Sequence, residues 1–192
     1  GWLLGETMIT GIGHGYIQTT PIQLCLMTAQ IGTGGHKIYP RIIVDDEYIE
    51  QPNDKFMPLY KDSKNIKIVQ DAMFGSTNEV MGTSYRSRIN DPKYQFAGKT
   101  GTAQVKRISK RERELDLKTS QIPYNDRDHA LYVAFGPYKN PDYALSIIVE
   151  HGGSGSSNAA PMATKLFKLI IDRHDLRKKN INLKNQLPNV ST

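Results

Sequence analysis

The sequence predicts an α/β fold of the α+β type, in which an antiparallel sheet is flanked by helices. The stretch 98–105 has the alternation of a strand, with a cation on one face and hydroxyl groups on the other. Two apolar runs, 130–135 and 143–149, are joined by a turn rich in Gly and Pro, and they predict a β-hairpin. A helix with an apolar stripe is expected from about 160 to 171. Each of these elements has to bury one face, so we expect the strands to pair and the last helix to pack on the sheet.

Composition places these elements in a soluble globular chain with one domain. The chain has 192 residues, of which 38% are hydrophobic and 23% charged, and no apolar run is long enough to span a membrane. We expect residues 1–172 to be the C-terminal part of a domain and residues 173–192 to be a basic, disordered tail. From Lys165 onward there are seven basic and two acidic residues, which account for +5 of the net charge of +6. The remainder is nearly neutral, so no nucleic-acid partner is expected.

The first third of the chain predicts two helices. Residues 1–16 are glycine-rich and predict a loop. Thr20 followed by Pro21 is typical of a helix N-terminus, and the helix after it is apolar almost all round, so we expect it to be buried. A strand is expected at 38–44. A second helix should begin after a cap at Asp62 or Ser63 and fade near residues 75–78.

The segment between the strand 98–105 and the hairpin is dense in opposite charges. We expect residues 106–128 to form an exposed, mobile connection, with a short helix at most.

Cys25 is the only cysteine, which excludes an internal disulfide and a cysteine-based zinc site. His14 has no second ligand at a spacing typical of metal sites, so neither a metal nor a cofactor is expected.

The strand 98–105 is the candidate functional stretch. Lys99 offers a positive charge with three hydrogen-bond donors, and the hydroxyls of Thr100 and Thr102 can donate to a carboxylate. Gly98 and Gly101 have no Cβ, which allows another backbone or a ligand to approach closely. A free edge of such a strand can pair with an extended peptide.

Several segments, in their order along the chain, resemble the C-terminal half of the transpeptidase domain of class B penicillin-binding proteins, most closely the penicillin-binding protein 2 subfamily. They are Gly11-Ile12-Gly13-His14-Gly15 with Thr20-Pro21-Ile22-Gln23-Leu24, Ala97-Gly98-Lys99-Thr100-Gly101-Thr102-Ala103-Gln104-Val105, Asp128-His129-Ala130 with Phe135-Gly136-Pro137-Tyr138, and Glu150-His151-Gly152-Gly153 with Ala159-Ala160-Pro161. Lys-Thr-Gly is one of three motifs typical of penicillin-binding proteins and β-lactamases, the others being Ser-x-x-Lys and Ser-x-Asn. The resemblance implies a partial penicillin-binding, serine β-lactamase-like transpeptidase fold.

The resemblance implies a serine D,D-transpeptidase that cross-links peptidoglycan stem peptides during cell-wall elongation and is acylated by β-lactams. In that family the Lys-Thr-Gly strand forms one wall of the active site. Lys99 would provide electrostatics and bind the Ser-x-Asn serine, and Thr100 and Thr102 would bind the terminal carboxylate of the substrate. Gly101 belongs to the same substrate-binding wall, and the N–H of Thr102 would supply one half of the oxyanion hole.

The nucleophile motif is absent from this sequence, since no serine has a lysine three positions later. We therefore expect the nucleophile, its base and the Ser-x-Asn motif to lie upstream, and the isolated chain to be inactive. Ser76-Thr77-Asn78 and Ser156-Ser157-Asn158 match Ser-x-Asn only in letters, and we interpret them as a helix end and a helix start.

Two alternatives remain, a β-lactam sensor domain of the same fold and a non-catalytic remnant of a split gene. The family further implies a periplasmic domain held in the inner membrane by a segment missing here. It also implies that a glycosyltransferase and other elongation-complex proteins are partners.

Overall fold

The computed structural model describes residues 1–42, 57–106, 114–115 and 117–186, with side chains as far as Leu176. Its sheet has three antiparallel strands in the order β1 (Ala97–Ala103), β2 (His129–Gly136) and β3 (Tyr143–Val149). Lys99 lies opposite Val133 and Thr100 opposite Tyr132. The predicted pairing of the Lys-Thr-Gly strand with the hairpin is therefore confirmed. The strand ends two residues earlier than expected, so Gln104 and Val105 lie beyond it.

One face of the sheet packs against the C-terminal helix α4 (Ala160–Gln186), as predicted. Small residues at the start of α4 let the helix approach the strands closely. The ring of Phe167 stacks on Phe96 at 4.8 Å between centroids, next to the buried Tyr132. The buried members of this main core are Ile89, Phe96, Ala130, Tyr132, Ala134, Ala159, Ala160, Ala163, Phe167 and Ile171.

The other face of the sheet carries two helices, α2 (Pro21–Gly32) and α3 (Ser63–Asn78). The predicted caps are present, because Thr20 accepts a hydrogen bond from the N–H of Gln23 and Asp62 from that of Lys64. The core on this face is small and contains Met73, Ala97 and Phe135 as its buried residues.

The expectation that α2 is buried was wrong. Only Thr28 and Gly32 of this helix are buried, whereas the side chains of Ile22 and Met27 are 61% and 43% exposed. The sheet contacts one side of α2, and apolar side chains elsewhere on the helix stay largely exposed among the described residues.

Two local predictions near the N-terminus were also wrong. Residues 4–11 form the helix α1 (Leu4–Gly11) instead of a loop, because Glu6 accepts a hydrogen bond from the N–H of Leu3 at 2.6 Å and caps it. The described part of the predicted strand 38–44, residues 38–42, is not a strand. The pairing there is a single bridge between His36 and Pro58, and residues 43 and 44 lie outside the described residues.

The tail predicted to be disordered from residue 173 is helical as far as Gln186, so that boundary was wrong. Extending an existing helix needs no new nucleus, which favours continuation through a polar sequence. Lys93 also holds this part of the helix, with ion pairs to Asp172 at 2.9 Å and Asp175 at 3.0 Å. Residues 187–192 lie outside the described residues.

In the charged connection 106–128, the described part contains short turns of 3-10 helix, Thr119–Gln121 and Tyr124–Asp126. Lys106 and Asp126 form an ion pair at 2.9 Å that links its two ends. Residues 107–113 and 116 lie outside the described residues, and the mobility of the connection stays a prediction.

The tightest contact in the main core joins β1 to β2 at Gly98. A Cβ at this position would lie 2.2 Å from the Tyr132 hydroxyl oxygen, so only glycine fits there. The Tyr132 side chain is completely buried, and its hydroxyl bonds to Thr77 Oγ1 at 2.9 Å and Ser84 Oγ at 3.1 Å. Burial raises the pKa of Tyr132, so the phenol stays neutral. Gly98 thus lets β1 lie directly over a satisfied polar cluster.

We predict that Gly98→Ala lowers the free energy of unfolding by about 1–3 kcal/mol, because the new methyl group overlaps a tyrosine that packing and hydrogen bonds hold in place. The measurement is urea unfolding followed by circular dichroism. Gly101→Ala is the matched control, since its Cβ would meet only Leu131 Cβ, at 3.3 Å. Equal losses for the two variants would contradict the close approach at Gly98.

We also predict a pH-dependent contribution from Asp172. Hydrogen bonds from Tyr94 and then from Lys93 hold the pKa of Asp172 below its usual value. A carboxyl whose pKa is lower in the folded state stabilises the fold above its unfolded pKa, and this contribution is lost as pH falls through the folded pKa. Asp172→Asn should therefore be less stable than the parent at neutral pH, and the difference should vanish in acid.

Thermal unfolding between neutral and acidic pH measures this difference. Asp142→Asn is the control, because Asp142 is exposed and its carboxylate forms no ion pair among the described residues. A deficit of Asp172→Asn that is constant with pH would overturn the prediction.

Candidate active site

The predicted site residues lie together on β1, at the edge of the described sheet. The Lys99 and Thr102 side chains are exposed, and Thr100 and Gly101 are half-buried. Lys99 Nζ donates to the main-chain oxygen of Thr100 at 2.7 Å. Among the described residues no carboxylate pairs with this lysine, and no partner bonds to the Thr102 hydroxyl. The strand therefore presents a cation and a hydroxyl that are available to an anionic ligand.

An open groove of about 780 Å³ runs beside Lys99, between α2, α3 and the sheet. Most of its lining is apolar, and Lys99 is among its few polar residues. The lining consists of Met27, Ile31, Ile68, Val69, Asp71, Ala72, Met73, Gly75, Ser76, Glu79, Met81, Gly82, Thr83, Lys99 and Val133. This arrangement suits a segment with an apolar body that brings a polar group to Lys99.

The turn after α3 forms a second wall next to Thr100. Thr83 Oγ1 lies 3.2 Å from Thr100 Oγ1 and 3.3 Å from Ser76 Oγ. Gly82 allows the turn to close tightly, since a Cβ there would lie 2.3 Å from the main-chain oxygen of Ser76. Ser84 holds the turn in place through hydrogen bonds from its N–H and its hydroxyl to that same oxygen, both at 3.0 Å.

The turn 151–155 covers β1 from the side of α4. A Cβ on Gly155 would lie 2.5 Å from the main-chain oxygen of Gly101, so the two backbones are in direct contact. His151 has a φ of 54°, and its N–H donates to His129 Nδ1 at 2.9 Å. His129 lies opposite Ala103, so this contact fixes the end of β1 that carries Thr102.

The two serines of the Ser-x-Asn look-alikes lie where the sequence indicated. Ser76 is in the last turns of α3, and Ser156 is in the π-helical turn Gly155–Ala159 that precedes α4. Ser76 lines the groove, and its hydroxyl contacts that of Thr83, whereas Ser156 Oγ contacts Ser154 Oγ at 3.0 Å. Neither serine has a hydrogen bond to Lys99.

The sequence analysis placed Lys99, Thr100, Gly101 and Thr102 on one strand, as the structure has them. It did not place Thr83 or Ser76 beside that strand. Gly82 was a signal for a tight turn, yet nothing in the spacing placed that turn against β1, where Thr83 contacts a residue 17 positions later in the chain. No group of three or more potential metal ligands occurs within the described ranges. Nor is any helix there both long and apolar enough to cross a membrane.

The arrangement can bind a carboxylate through Lys99 and Thr102 and can present backbone groups to an extended peptide. Among the described side chains, no serine or threonine hydroxyl is hydrogen-bonded to a lysine, a histidine or a carboxylate, which is the pairing that activates a hydroxyl nucleophile.

Comparison with known proteins gives a consistent result. The family described as "Penicillin binding protein transpeptidase domain" matches this chain over residues 1–168. The peptidoglycan D,D-transpeptidase MrdA of Salmonella typhimurium is 34% identical over 182 residues, which cover 89% of this chain and 28% of that protein. The protein of the same name from Escherichia coli K12 is 30% identical and covers 99% of this chain and 29% of its own length.

Solved structures of similar proteins have the same fold. Penicillin-binding protein 2 of Helicobacter pylori, in its complex with MreC, superposes with a TM-score of 0.71 at 31% identity, over 89% of this chain and 28% of that one. Penicillin-binding protein 2 of Pseudomonas aeruginosa, in complex with WCK 5153, gives 0.65 at 36% identity, over 87% and 33%. The chain thus spans roughly a third or less of the relatives that it matches.

Proposed function

This chain belongs to the penicillin-binding protein transpeptidase family, and from that premise we propose that it is the substrate-binding wall of a peptidoglycan D,D-transpeptidase. The enzyme would cross-link stem peptides in cell-wall elongation and be acylated by β-lactams. The observation that carries the proposal is the position of Lys99 and Thr102, whose side chains are both exposed on β1, an edge strand of the described sheet. Fixed donors at a strand edge can bind a carboxylate without rearrangement.

The nucleophile of this enzyme would come from a Ser-x-x-Lys segment elsewhere in a longer protein. The absence of that motif from the 192 residues supports this, as does the small share of its relatives that the chain covers. The groove beside Lys99 would receive that segment, because most of its lining is apolar and Lys99 itself lies in it. A helix seated there would bury Met27, Ile68 and Val69 and bring its polar end to β1.

In the proposed reaction, the serine hydroxyl attacks the carbonyl carbon of the bond between two D-alanines. The neighbouring lysine of that motif takes the serine proton, and the terminal D-alanine leaves with a proton on its amine. The amine of a second stem peptide then attacks the acyl carbon and forms the cross-linking amide. The bond to the serine oxygen breaks, and that oxygen regains a proton that the amine gives up through the same lysine. The hydroxyls of Thr100 and Thr102 hold the terminal carboxylate, and Lys99 provides a positive charge beside them and binds the Ser-x-Asn serine. The N–H of Thr102 stabilises the developing oxyanion.

The relatives also suggest a cellular setting. Penicillin-binding protein 2 of Helicobacter pylori forms a complex with MreC. We therefore propose that the longer protein works with proteins of the elongation complex, including a glycosyltransferase. Its transpeptidase domain would be periplasmic and held in the inner membrane by a segment outside this chain. The relatives named as transpeptidases support an enzyme over a β-lactam sensor.

We predict that the isolated chain forms no covalent adduct with a fluorescent penicillin, whereas the full-length protein forms one adduct per molecule. The reason is that the serine, its base and one oxyanion donor all come from the other segment. Denaturing gel electrophoresis and intact mass spectrometry measure the adduct, and peptide mapping locates it. A stoichiometric adduct on any serine of the isolated chain would show that the nucleophile has been misplaced. A full-length protein that is never acylated would refute the proposed function.

In the full-length protein, Lys99→Ala and Thr102→Val should each slow acylation by about tenfold or more, since each removes a hydrogen bond to a charged group. Because both side chains are exposed, the melting temperature should stay close to that of the parent. The stopped-flow rate of penicillin acylation measures the effect. Lys64→Ala, an exposed lysine at the start of α3, is the control. Parental rates in both variants would place the site elsewhere.

A further inference from the structure

Thr83 is a residue that neither the sequence patterns nor the Lys-Thr-Gly motif assigns to the site. We infer that it is a positioning residue, which orients the Thr100 hydroxyl so that its proton is donated to the carboxylate of a stem peptide or a β-lactam. The inference rests on the proposed function, because it deepens the description of the same carboxylate site.

Thr83 is the middle member of a short chain of hydroxyl groups. Its Oγ1 lies 3.3 Å from Ser76 Oγ and 3.2 Å from Thr100 Oγ1. Ser76 and Thr83 come from α3 and the turn after it, whereas Thr100 is on β1. These three hydroxyl groups therefore connect α3 and the turn after it to the substrate-binding strand β1 through side-chain contacts.

The number of protons on the three hydroxyl groups determines which hydroxyl donates to which. Each hydroxyl has one proton to donate and two lone pairs that accept. If Thr100 donated to Thr83, it would have no proton left for a carboxylate. When an anion binds at Thr100, the favoured order is Ser76 to Thr83, Thr83 to Thr100, and Thr100 to the carboxylate. Each donor polarises the next hydroxyl and strengthens the bond that follows.

The turn that carries Thr83 is held rigidly enough for this role. The next residue, Ser84, is buried and bonds to the Tyr132 hydroxyl at 3.1 Å as well as to the main-chain oxygen of Ser76. Thr77, also buried, bonds to the same Tyr132 hydroxyl at 2.9 Å. The same tyrosine lies against Gly98 in β1, so the turn and the strand are fixed to one common group.

Thr83 acts through Thr100 and not on the reacting atoms, so its removal should weaken carboxylate binding and leave the fold intact. In the full-length protein, Thr83→Val keeps the shape but loses the hydroxyl. We expect the second-order rate constant for acylation by benzylpenicillin to fall by about threefold to tenfold. Thr83→Ser should restore it. In a transpeptidation assay with a D-alanyl-D-alanine peptide, KM should rise more than kcat falls.

A double-mutant cycle separates positioning from a general structural effect. Thr100→Val removes the group through which Thr83 acts, so adding Thr83→Val to it should cause no further loss. Ser76→Ala should cause a smaller decrease than Thr83→Val, and this decrease should likewise vanish beside Thr100→Val. Thr19→Val, an exposed threonine before α2, is the matched control and should react at the parental rate.

The outcomes distinguish this inference from the proposed function. A parent protein that benzylpenicillin does not acylate refutes the proposed function itself. A parent that is acylated, together with a Thr83→Val variant that reacts at the parental rate, overturns only the role of Thr83. Losses for Thr83→Val and Thr100→Val that add independently overturn it too. If Thr83→Val has a lower melting temperature than the parent, the acylation rate of Ser76→Ala is compared alone and in combination with Thr100→Val. A decrease that vanishes beside Thr100→Val supports the role of Thr83, and a decrease of the same size in both backgrounds overturns it.

Discussion

The buried hydroxyl of Tyr132 is the group on which the geometry of this domain depends. It is surrounded by Gly98 of β1, Thr77 of α3 and Ser84 of the turn after α3, which come from three separate parts of the chain. A buried hydroxyl without partners would be costly, so the three elements have to stay in the positions that satisfy it. This requirement gives the fold a specificity that apolar packing of the same core would not supply.

The consequences of this cluster extend directly to the candidate site. Because Gly98 rests on Tyr132, the next residues of β1 emerge in a fixed register, with Lys99 directed toward the groove and Thr100 toward Thr83. A site that stabilises a developing negative charge works best when its donors are already in place before the substrate arrives. The same hydroxyl cluster that stabilises the core therefore also prepares the strand for its proposed role.

The sheet has one well-covered face and one open face. On the α4 side, Phe96, Phe167 and the alanines form a dense core, whereas the buried apolar residues described on the groove side are Met73, Ala97 and Phe135. Contiguous exposed apolar surface is typical of a place where another protein segment packs. Lys99 lies both in this groove and on the Lys-Thr-Gly strand, so the groove adjoins the candidate active site.

The sequence by itself determined the type and order of most elements. The strands of β1 and the hairpin, the caps at Thr20 and Asp62 and the helix from Ala160 follow from periodicity and cap chemistry, which act over a few residues. The pairing of β1 with the hairpin was expected because each of these elements has to bury one face. The motif in β1 likewise indicated the family and placed Lys99, Thr100, Gly101 and Thr102 on one strand. Only the tertiary structure showed that α2 is largely exposed, that α4 continues to Gln186, and that Thr83 lies against Thr100. These facts depend on contacts between residues distant in the chain, and a local pattern carries no information about which of its faces another element will cover.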